Sequence, residues 1–200
     1  GITDILIVTG GNSAGHFLQL LRNGSDFGLR RLSYAYQEGE GGIADALKLA
    51  EAFAEGEEIC VVLGDNIIER NIKKAVLDFK AQGGGAKILL KEVQDPERFG
   101  VASVKDGKVL KIVEKPKEPE GNLAVIGIYL YDPAVFDICR TLKPSNRGEL
   151  EITDVNNEYI RRGNLTCEVL QGWWTDAGTF ESLYRSATLI RENGANHMDS

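Results

Sequence analysis

The sequence has few cysteines, a single methionine and no long apolar run. Its three cysteines, Cys60, Cys139 and Cys167, are widely spaced and form no C-x-x-C pair, which argues against a zinc site or a redox pair. No apolar stretch approaches the ~20 residues of a membrane-spanning helix, so no membrane association is expected. With no signal peptide recognisable, three buried free thiols favour a reducing, cytoplasmic location.

Positive charge is also scarce. The chain carries 23 Lys and Arg against 30 Asp and Glu, a formal net charge of −7, which argues against a nucleic-acid partner. A phosphorylated ligand remains compatible with this negative net charge if a metal ion supplies positive charge. Gly10 and Gly15 have the spacing of a phosphate-binding P-loop, but His16 and Phe17 stand where that motif needs Lys and Ser or Thr. An ordinary turn is therefore favoured over an ATPase loop.

Strand and helix patterns alternate along most of the chain. This alternation predicts an α/β fold, a three-layer α/β/α sandwich with a mixed, mostly parallel sheet. Asp106-Gly107, between two apolar runs, predicts a hairpin. We expect a single domain over residues 1–195 and an appended tail over 196–200. Strands are predicted at 5–8, 32–36, 59–63, 86–90, 101–104, 109–113, 123–131 and 165–170. Helices are predicted at 17–22, 43–54, 72–82, 133–142, 149–161 and 179–192.

Ligands of open α/β sheets bind beyond the carboxyl ends of the strands, so the residues there are candidates for chemistry. The segment 37–43, with Gln37 and Gly42, either admits a flat base against its backbone or is a flexible turn. On spacing alone the turn is favoured. Asp65 follows a buried strand and Gly64. It is equally well interpreted as an Mg²⁺ ligand and as the cap of the next turn.

Three later segments carry similar alternatives. Glu114 and Lys115 place an acceptor beside a donor, which suits a sugar hydroxyl and a phosphate, although the charges that follow favour a solvated cluster. Arg147 opens a segment whose glutamates suit the start of a helix and have a structural interpretation there. Asp176, after two tryptophans, is either a second metal ligand or a capping residue beside a core Trp pair.

Taken together, seven segments resemble one family. The pattern is similar to that of bacterial sugar nucleotidyltransferases, most specifically the glucose-1-phosphate thymidylyltransferases, and extends from Ile2 to about Glu192. It implies a Rossmann-like nucleotide-diphosphosugar transferase fold. The segments are Gln37 with Gly42, Leu63-Gly-Asp-Asn66, Phe99-Gly-Val101, Glu114-Lys-Pro116, Gly127-Ile-Tyr129, Arg147-Gly-Glu-Leu-Glu-Ile-Thr-Asp154 and Trp174-Thr-Asp-Ala-Gly178.

The resemblance implies a reaction and a role for each residue. A glucose 1-phosphate oxygen attacks the α-phosphorus of dTTP, giving dTDP-glucose and pyrophosphate for dTDP-rhamnose and envelope polysaccharide synthesis. Such transfer needs positioned charge and Mg²⁺ rather than a protein nucleophile. A homotetramer is implied as well. By position, Gln37 and Gly42 would bind the thymine, and Asp65 and Asp176 would hold Mg²⁺ against the nucleotide. The glucose site would be lined by Gly100, Glu114 and Tyr129. Lys115 and Arg147 would bind the sugar phosphate, and Trp174 would form a wall of the pocket.

One departure from the family stands out. Its opening strand and glycine-rich loop, roughly G-G-x-G-T-R-L-x-P-x-T, have no counterpart here, and Gly1 stands where the family's second strand would begin. We therefore expect an N-terminally incomplete chain that is itself inactive. A smaller departure is Phe99, where many relatives carry Tyr. The alternatives are a uridylyl- or cytidylyltransferase of the same superfamily, or a non-catalytic sugar-phosphate-binding subunit; Gln37 with the run 41–46 favours thymidylyl transfer.

Overall fold

The computed structural model of this chain describes residues 2–197. The strands are β1 (Asp4–Gly10), β2 (Arg31–Gln37), β3 (Ile59–Val62), β4 (Asn66–Ile68), β5 (Ala86–Glu92), β6 (Gly100–Lys105), β7 (Lys108–Glu114), β8 (Leu123–Tyr131), β9 (Leu165–Val169) and β10 (Trp174–Asp176). The helices are α1 (Ala14–Leu21), α2 (Ile43–Lys48), α3 (Glu51–Ala54), α4 (Lys73–Gln82), α5 (Ala134–Thr141), α6 (Ile152–Arg161) and α7 (Phe180–Asn193).

The chain divides into two compact units. The first comprises Gly1–Glu57 and Pro133–Val155, and the second comprises Glu58–Asp132 and Asn156–Ser200. The single domain expected over residues 1–195 stays a prediction. Across residues 2–197, no helix combines the length and apolar content that crossing a bilayer requires.

The first unit is built on a parallel pair of strands. β1 and β2 run side by side in register from Asp4↔Arg31 to Gly10↔Gln37. Helix α2 lies against α5, and the two helices bury apolar side chains that include Leu47. The register brings Gln37 to the carboxyl end of β2, directly before the loop that enters α2.

The second unit contains a larger mixed sheet. Its strand order is β7-β6-β8-β5-β9, and β3 also pairs with β8. β8 is buried along nearly its whole length. The strand before Asp65, β3, was predicted to be buried but is only partly buried, and Val62 is 53% exposed, because β3 has one pairing partner, β8, within residues 2–197. Asp106 and Gly107 both have positive φ at the turn between β6 and β7, which confirms the predicted hairpin. Ile126, Ile128 and Leu130 of β8 pack in a core with Phe79 of α4 and Leu89 of β5.

The mixed α/β fold is confirmed, but the sheet is not mostly parallel. Among the strand pairs of residues 2–197, only β1–β2 and β5–β9 are parallel. β8 runs antiparallel to β3, β5 and β6. The tight hairpin between β6 and β7 makes that pair antiparallel as well.

A further prediction needs correction. Cys139 is buried, but Cys60 and Cys167 are only partly buried, because each lies on a strand that has one pairing partner within residues 2–197. The tail expected over residues 196–200 stays a prediction. The backbone N–H groups of Asn196 and His197 donate to the carbonyls of Ile68 and Glu69. Residues 198–200 lie outside the described residues.

Candidate functional site

The two carboxylates predicted to hold a metal ion are close together in the second unit. β10 pairs antiparallel with β4, so that Asp176 stands opposite Asn66, the residue after Asp65. The N–H of Ala177 donates to the Asp65 carbonyl over 2.7 Å. A Cβ atom built on Gly178 would lie 3.2 Å from Oδ2 of Asp65 and 4.0 Å from Oδ2 of Asp176. The absence of a side chain at Gly178 therefore keeps open a space that both carboxylates face.

This space fits a hard divalent cation. Carboxylate oxygens are the ligands that Mg²⁺ prefers, and such sites use one or two carboxylates with water and substrate phosphates. Residues 2–197 hold no cluster of three or more His, Cys, Asp or Glu that could complete a metal site from protein groups alone. The protein ligands that this space offers are the two carboxylates.

Asn66 holds Asp65 in place. Its Nδ2 donates to Oδ1 of Asp65 over 2.8 Å, while its Oδ1 accepts from the N–H of Gly127 and from Nε1 of Trp174 at 2.9 and 2.7 Å. A Cβ on Gly127 would come within 2.5 Å of the Asn66 amide, so a side chain there would displace Asn66. Sequence reasoning gave Asn66 no role, although it lies in the Leu63-Gly-Asp-Asn66 segment.

Trp174 belongs to the core of this site rather than to its surface. Only 9% of the residue is exposed. Its ring meets Phe99 edge to face, with centroids 5.4 Å apart. The indole thus holds Asn66 in place through the hydrogen bond from Nε1. Its predicted role as a pocket wall stays a prediction.

Arg98 is a charged neighbour of the carboxylates that sequence reasoning missed. Its Nη2 donates to Oδ2 of Asp176 over 3.2 Å, and its Nη1 donates to Oδ2 of Asp95 over 2.7 Å. The guanidinium also lies over the Phe99 ring, 5.2 Å from the centroid. The hydrogen bond to Asp95, together with the charge of Asp176, raises the pKa of Arg98.

The predicted sugar-binding residues of the second unit also lie near one another. Gly100 stands opposite Glu114 in the β6–β7 pair. Tyr129 is 4% exposed. Burial raises the pKa of its hydroxyl, and the negative charges of Glu114 and Asp65 raise it further. The phenol is therefore a neutral hydrogen-bonding group within the electrostatic reach of both carboxylates.

Lys115 has an unusual backbone. Its φ is +42°, although it is not glycine and precedes Pro116, which favours an extended conformation. Its N–H donates to the Phe99 carbonyl over 3.0 Å. Strain of this kind concentrates at functional sites. The Lys115 side chain is exposed, and its predicted role in binding the sugar phosphate stays a prediction.

In the first unit, Gln37 is fixed by the loop that follows it. Its Nε2 donates to the Gly42 carbonyl over 3.0 Å and to Oδ2 of Asp45 over 3.1 Å. Hydrogen bonds from Lys48 and Gln37 lower the pKa of Asp45. Gly42 has a φ of +89°, and a Cβ there would lie 2.6 Å from the Leu150 carbonyl oxygen. Glycine at position 42 is thus required by backbone packing.

Arg147 is held by a buried carboxylate. Its Nε and Nη2 donate to the two oxygens of Glu151 at 3.1 and 2.7 Å, and Glu151 is 9% exposed. Ser145 donates to the same carboxylate over 2.7 Å. The helix here begins at Ile152, after both glutamates. The expectation that they occupy its first turn is therefore wrong, because this segment bonds instead to Gly41 and Arg147.

The predicted residues divide between the two units. Gln37, Gly42 and Arg147 lie in the first. The second unit holds the remaining predicted site residues, namely Asp65, Gly100, Glu114, Lys115, Tyr129, Trp174 and Asp176.

Comparison with known proteins gives one consistent result. The nucleotidyl transferase family matches residues 1–193. A glucose-1-phosphate thymidylyltransferase of Neisseria meningitidis is 40% identical over 96% of this chain and 67% of its own length. A low-salt glycan biosynthesis nucleotidyltransferase of Haloferax volcanii is 39% identical over 96% of this chain. This chain spans about two thirds of the first relative and 54% of the second.

Comparison with solved structures agrees with these sequence comparisons. A Bacillus anthracis structure described as a candidate glucose-1-phosphate thymidylyltransferase, in complex with sucrose, superposes with a TM-score of 0.90 at 48% identity. The match covers 99% of this chain and 79% of that one. A UDP-glucose pyrophosphorylase has the same fold, with a TM-score of 0.80 at 22% identity over 94% of this chain and 81% of that chain.

Proposed function

Because the chain belongs to the nucleotidyl transferase family, we propose that it serves the transfer of thymidylate from dTTP to glucose 1-phosphate. The products are dTDP-glucose and pyrophosphate. The observation that carries the proposal is the pair of carboxylates, Asp65 and Asp176, facing the space beside Gly178. Its thymidylyltransferase relatives supply the substrate class.

The reaction needs no protein nucleophile. A phosphate oxygen of the sugar forms a bond to the α-phosphorus of the nucleotide, and the bond to pyrophosphate breaks. Asp65 and Asp176 would hold Mg²⁺, which supplies charge neutralisation for the phosphates when bound. Asn66 keeps Asp65 oriented through its amide N–H.

Gln37 is proposed to read the base. Its Nε2 donates to the Gly42 carbonyl and to Asp45, and these two bonds fix the orientation of the amide. Oε1 is therefore the side-chain atom proposed to accept a hydrogen bond from a ligand. Thymine and uracil carry an N3–H donor that matches this acceptor, whereas cytosine and adenine present a ring nitrogen acceptor. We therefore expect dTTP to be preferred, with UTP weaker by a modest factor because a methyl group adds only a small apolar contact.

The remaining residues are proposed to bind the sugar phosphate. Lys115 and Arg147 are proposed to supply positive charge to its phosphate, and Arg147 is oriented by its two bonds to Glu151. Gly100, Glu114 and Tyr129 are proposed to meet the glucose. Glu114 accepts from hydroxyl groups, and Tyr129, kept neutral by burial, donates to them. A role in dTDP-rhamnose synthesis and a homotetrameric state are part of the same proposal.

The test is a nucleotide panel. The complete gene product is incubated with glucose 1-phosphate, Mg²⁺ and one of dTTP, UTP, CTP or ATP, and sugar nucleotide and pyrophosphate are both quantified. We expect dTTP to give the highest initial rate, with UTP second. A preference for CTP or ATP would show that the base assignment of Gln37 is wrong. In parallel, residues 1–200 are titrated with glucose 1-phosphate by calorimetry, and the Lys115→Ala variant should bind it more weakly.

A further inference from the structure

We propose that Arg98 is the resident cation of the carboxylate pair, and that a metal ion entering the site must displace it from Asp176. The inference rests on the proposed function, because it takes Asp65 and Asp176 as the metal ligands. It adds a positioning residue that neither the motifs nor the proposed reaction assigns.

The geometry places Arg98 on one particular oxygen. Oδ2 of Asp176 and Oδ2 of Asp65 are the two atoms that face the space beside Gly178. Nη2 of Arg98 donates to that same Oδ2 of Asp176 over 3.2 Å. The guanidinium thus occupies the acceptor that a metal ion would need.

Arg98 also has a place to remain once it leaves Asp176. Its Nη1 is bonded to Asp95 over 2.7 Å, and its plane rests on Phe99 at a distance typical of a cation–π contact. These contacts do not involve the metal-facing oxygen. The Arg98 side chain is 44% exposed, so a small rotation toward solvent breaks the bond to Asp176 and keeps the bond to Asp95.

Electrostatics predicts the direction in which loss of Arg98 or Asp95 changes the affinity for a cation. In the metal-free protein, Arg98 partly neutralises Asp176. It competes with an incoming cation for Oδ2 and repels that cation as a like charge. Removing Arg98 should therefore strengthen the binding of a free divalent cation. Removing Asp95 should leave Asp176 as the remaining ionic partner of Arg98 among the described contacts, and so weaken cation binding.

The experiment titrates the 200-residue chain with Mn²⁺ alone and follows the free ion by electron paramagnetic resonance. The variants are Arg98→Gln, Asp95→Asn, Asp176→Asn and Arg161→Gln. Arg161 is a matched control, because it also pairs with a carboxylate three residues before it, Glu158, and its loss changes the net charge equally. Circular dichroism verifies that each variant is folded.

The two substitutions should act in opposite directions. We expect Arg98→Gln to lower the Kd for Mn²⁺ about threefold and Asp95→Asn to raise it about twofold, since exposed ion pairs have effects of this size. Arg161→Gln should match wild type, and the Arg98 effect should shrink at high salt.

Two results would overturn the inference and can be told apart. If Arg98→Gln binds Mn²⁺ no more tightly than Arg161→Gln, Arg98 does not compete at Asp176, while the metal site itself stands. If Asp176→Asn leaves Mn²⁺ binding unchanged, Asp176 is not a ligand, and both the inference and the proposed metal site are wrong.

Discussion

Oδ2 of Asp65 and Oδ2 of Asp176 both lie within 4.0 Å of the point where a Cβ atom on Gly178 would stand. Residues 111 positions apart in the chain are thus brought to one small space, and the space exists because position 178 has no side chain. The pairing of β4 with β10 is the local cause.

Filling this space should impair the site without unfolding the protein. Gly178→Ala places a methyl group 3.2 Å from Oδ2 of Asp65, so the carboxylate must shift by a few tenths of an ångström. We expect Mn²⁺ affinity to fall about fivefold, because functional groups must be held within ~0.5 Å of their geometry. Gly64→Ala is the control, since a Cβ there meets nothing within 4 Å. Equal Mn²⁺ affinity in the two variants would contradict this view of the space.

Gly42 should tolerate substitution far less well than Gly39. Both have positive φ, +89° and +70°, so alanine is strained at either position. Only at Gly42 does the new Cβ also collide with a backbone atom, the Leu150 carbonyl oxygen at 2.6 Å. We expect Gly39→Ala to lower the free energy of unfolding by about 1 kcal/mol and Gly42→Ala by about 3 kcal/mol or more. Urea denaturation measures both, and similar losses would show that the loop yields easily.

Relaxing the backbone at Lys115 should raise the stability of the protein and weaken its binding of glucose 1-phosphate. Lys115→Gly removes the strain of a φ of +42° and should raise the free energy of unfolding by about 0.5–1 kcal/mol. It should also weaken glucose 1-phosphate binding. Asp106→Gly is the matched control, because Asp106 has a φ of +51° in the β6–β7 hairpin. If the two variants bind the sugar phosphate equally, Lys115 has no role in that site.

Asp45 should make the first unit sensitive to acid. Its folded-state pKa is lowered by hydrogen bonds from Lys48 and Gln37. The stabilisation it provides is therefore complete above the unfolded pKa of about 3.9 and is lost as the pH falls through the lower folded value. We expect Asp45→Asn to be less stable than wild type by about 0.5 kcal/mol at pH 7. The difference should shrink in urea titrations as the pH falls below the unfolded value of about 3.9; a gap that does not shrink with falling pH would point to packing rather than charge.

Local sequence signals predicted the elements whose causes are local. Thr179 accepts from the Ser182 N–H in a capping box and starts α7, and Asn71 accepts from the Lys73 N–H at the start of α4. The apolar run of β8 also predicted a strand with the correct bounds. These signals require only nearby residues, so the sequence is sufficient to find them.

Elements that depend on distant contacts were not predictable in this way. The helix expected from Glu149 starts at Ile152, because the Leu150 N–H bonds to the Gly41 carbonyl across the fold. No strand was predicted at β10, since its partner β4 lies far away in the sequence. Arg98, in a charged Asp-Pro-Glu-Arg segment, looks like a solvated residue until its contact with Asp176 is seen.

The central claim is that Asp65 and Asp176 hold the metal ion for nucleotidyl transfer, and pyrophosphorolysis tests it most directly. The complete gene product is given dTDP-glucose, pyrophosphate and Mg²⁺, and dTTP formation is followed by chromatography. Wild type should form dTTP. Asp65→Asn and Asp176→Asn should each lose about a hundredfold or more in turnover, while binding glucose 1-phosphate within about threefold of wild type. Near-normal turnover in either variant at saturating Mg²⁺ would contradict the account.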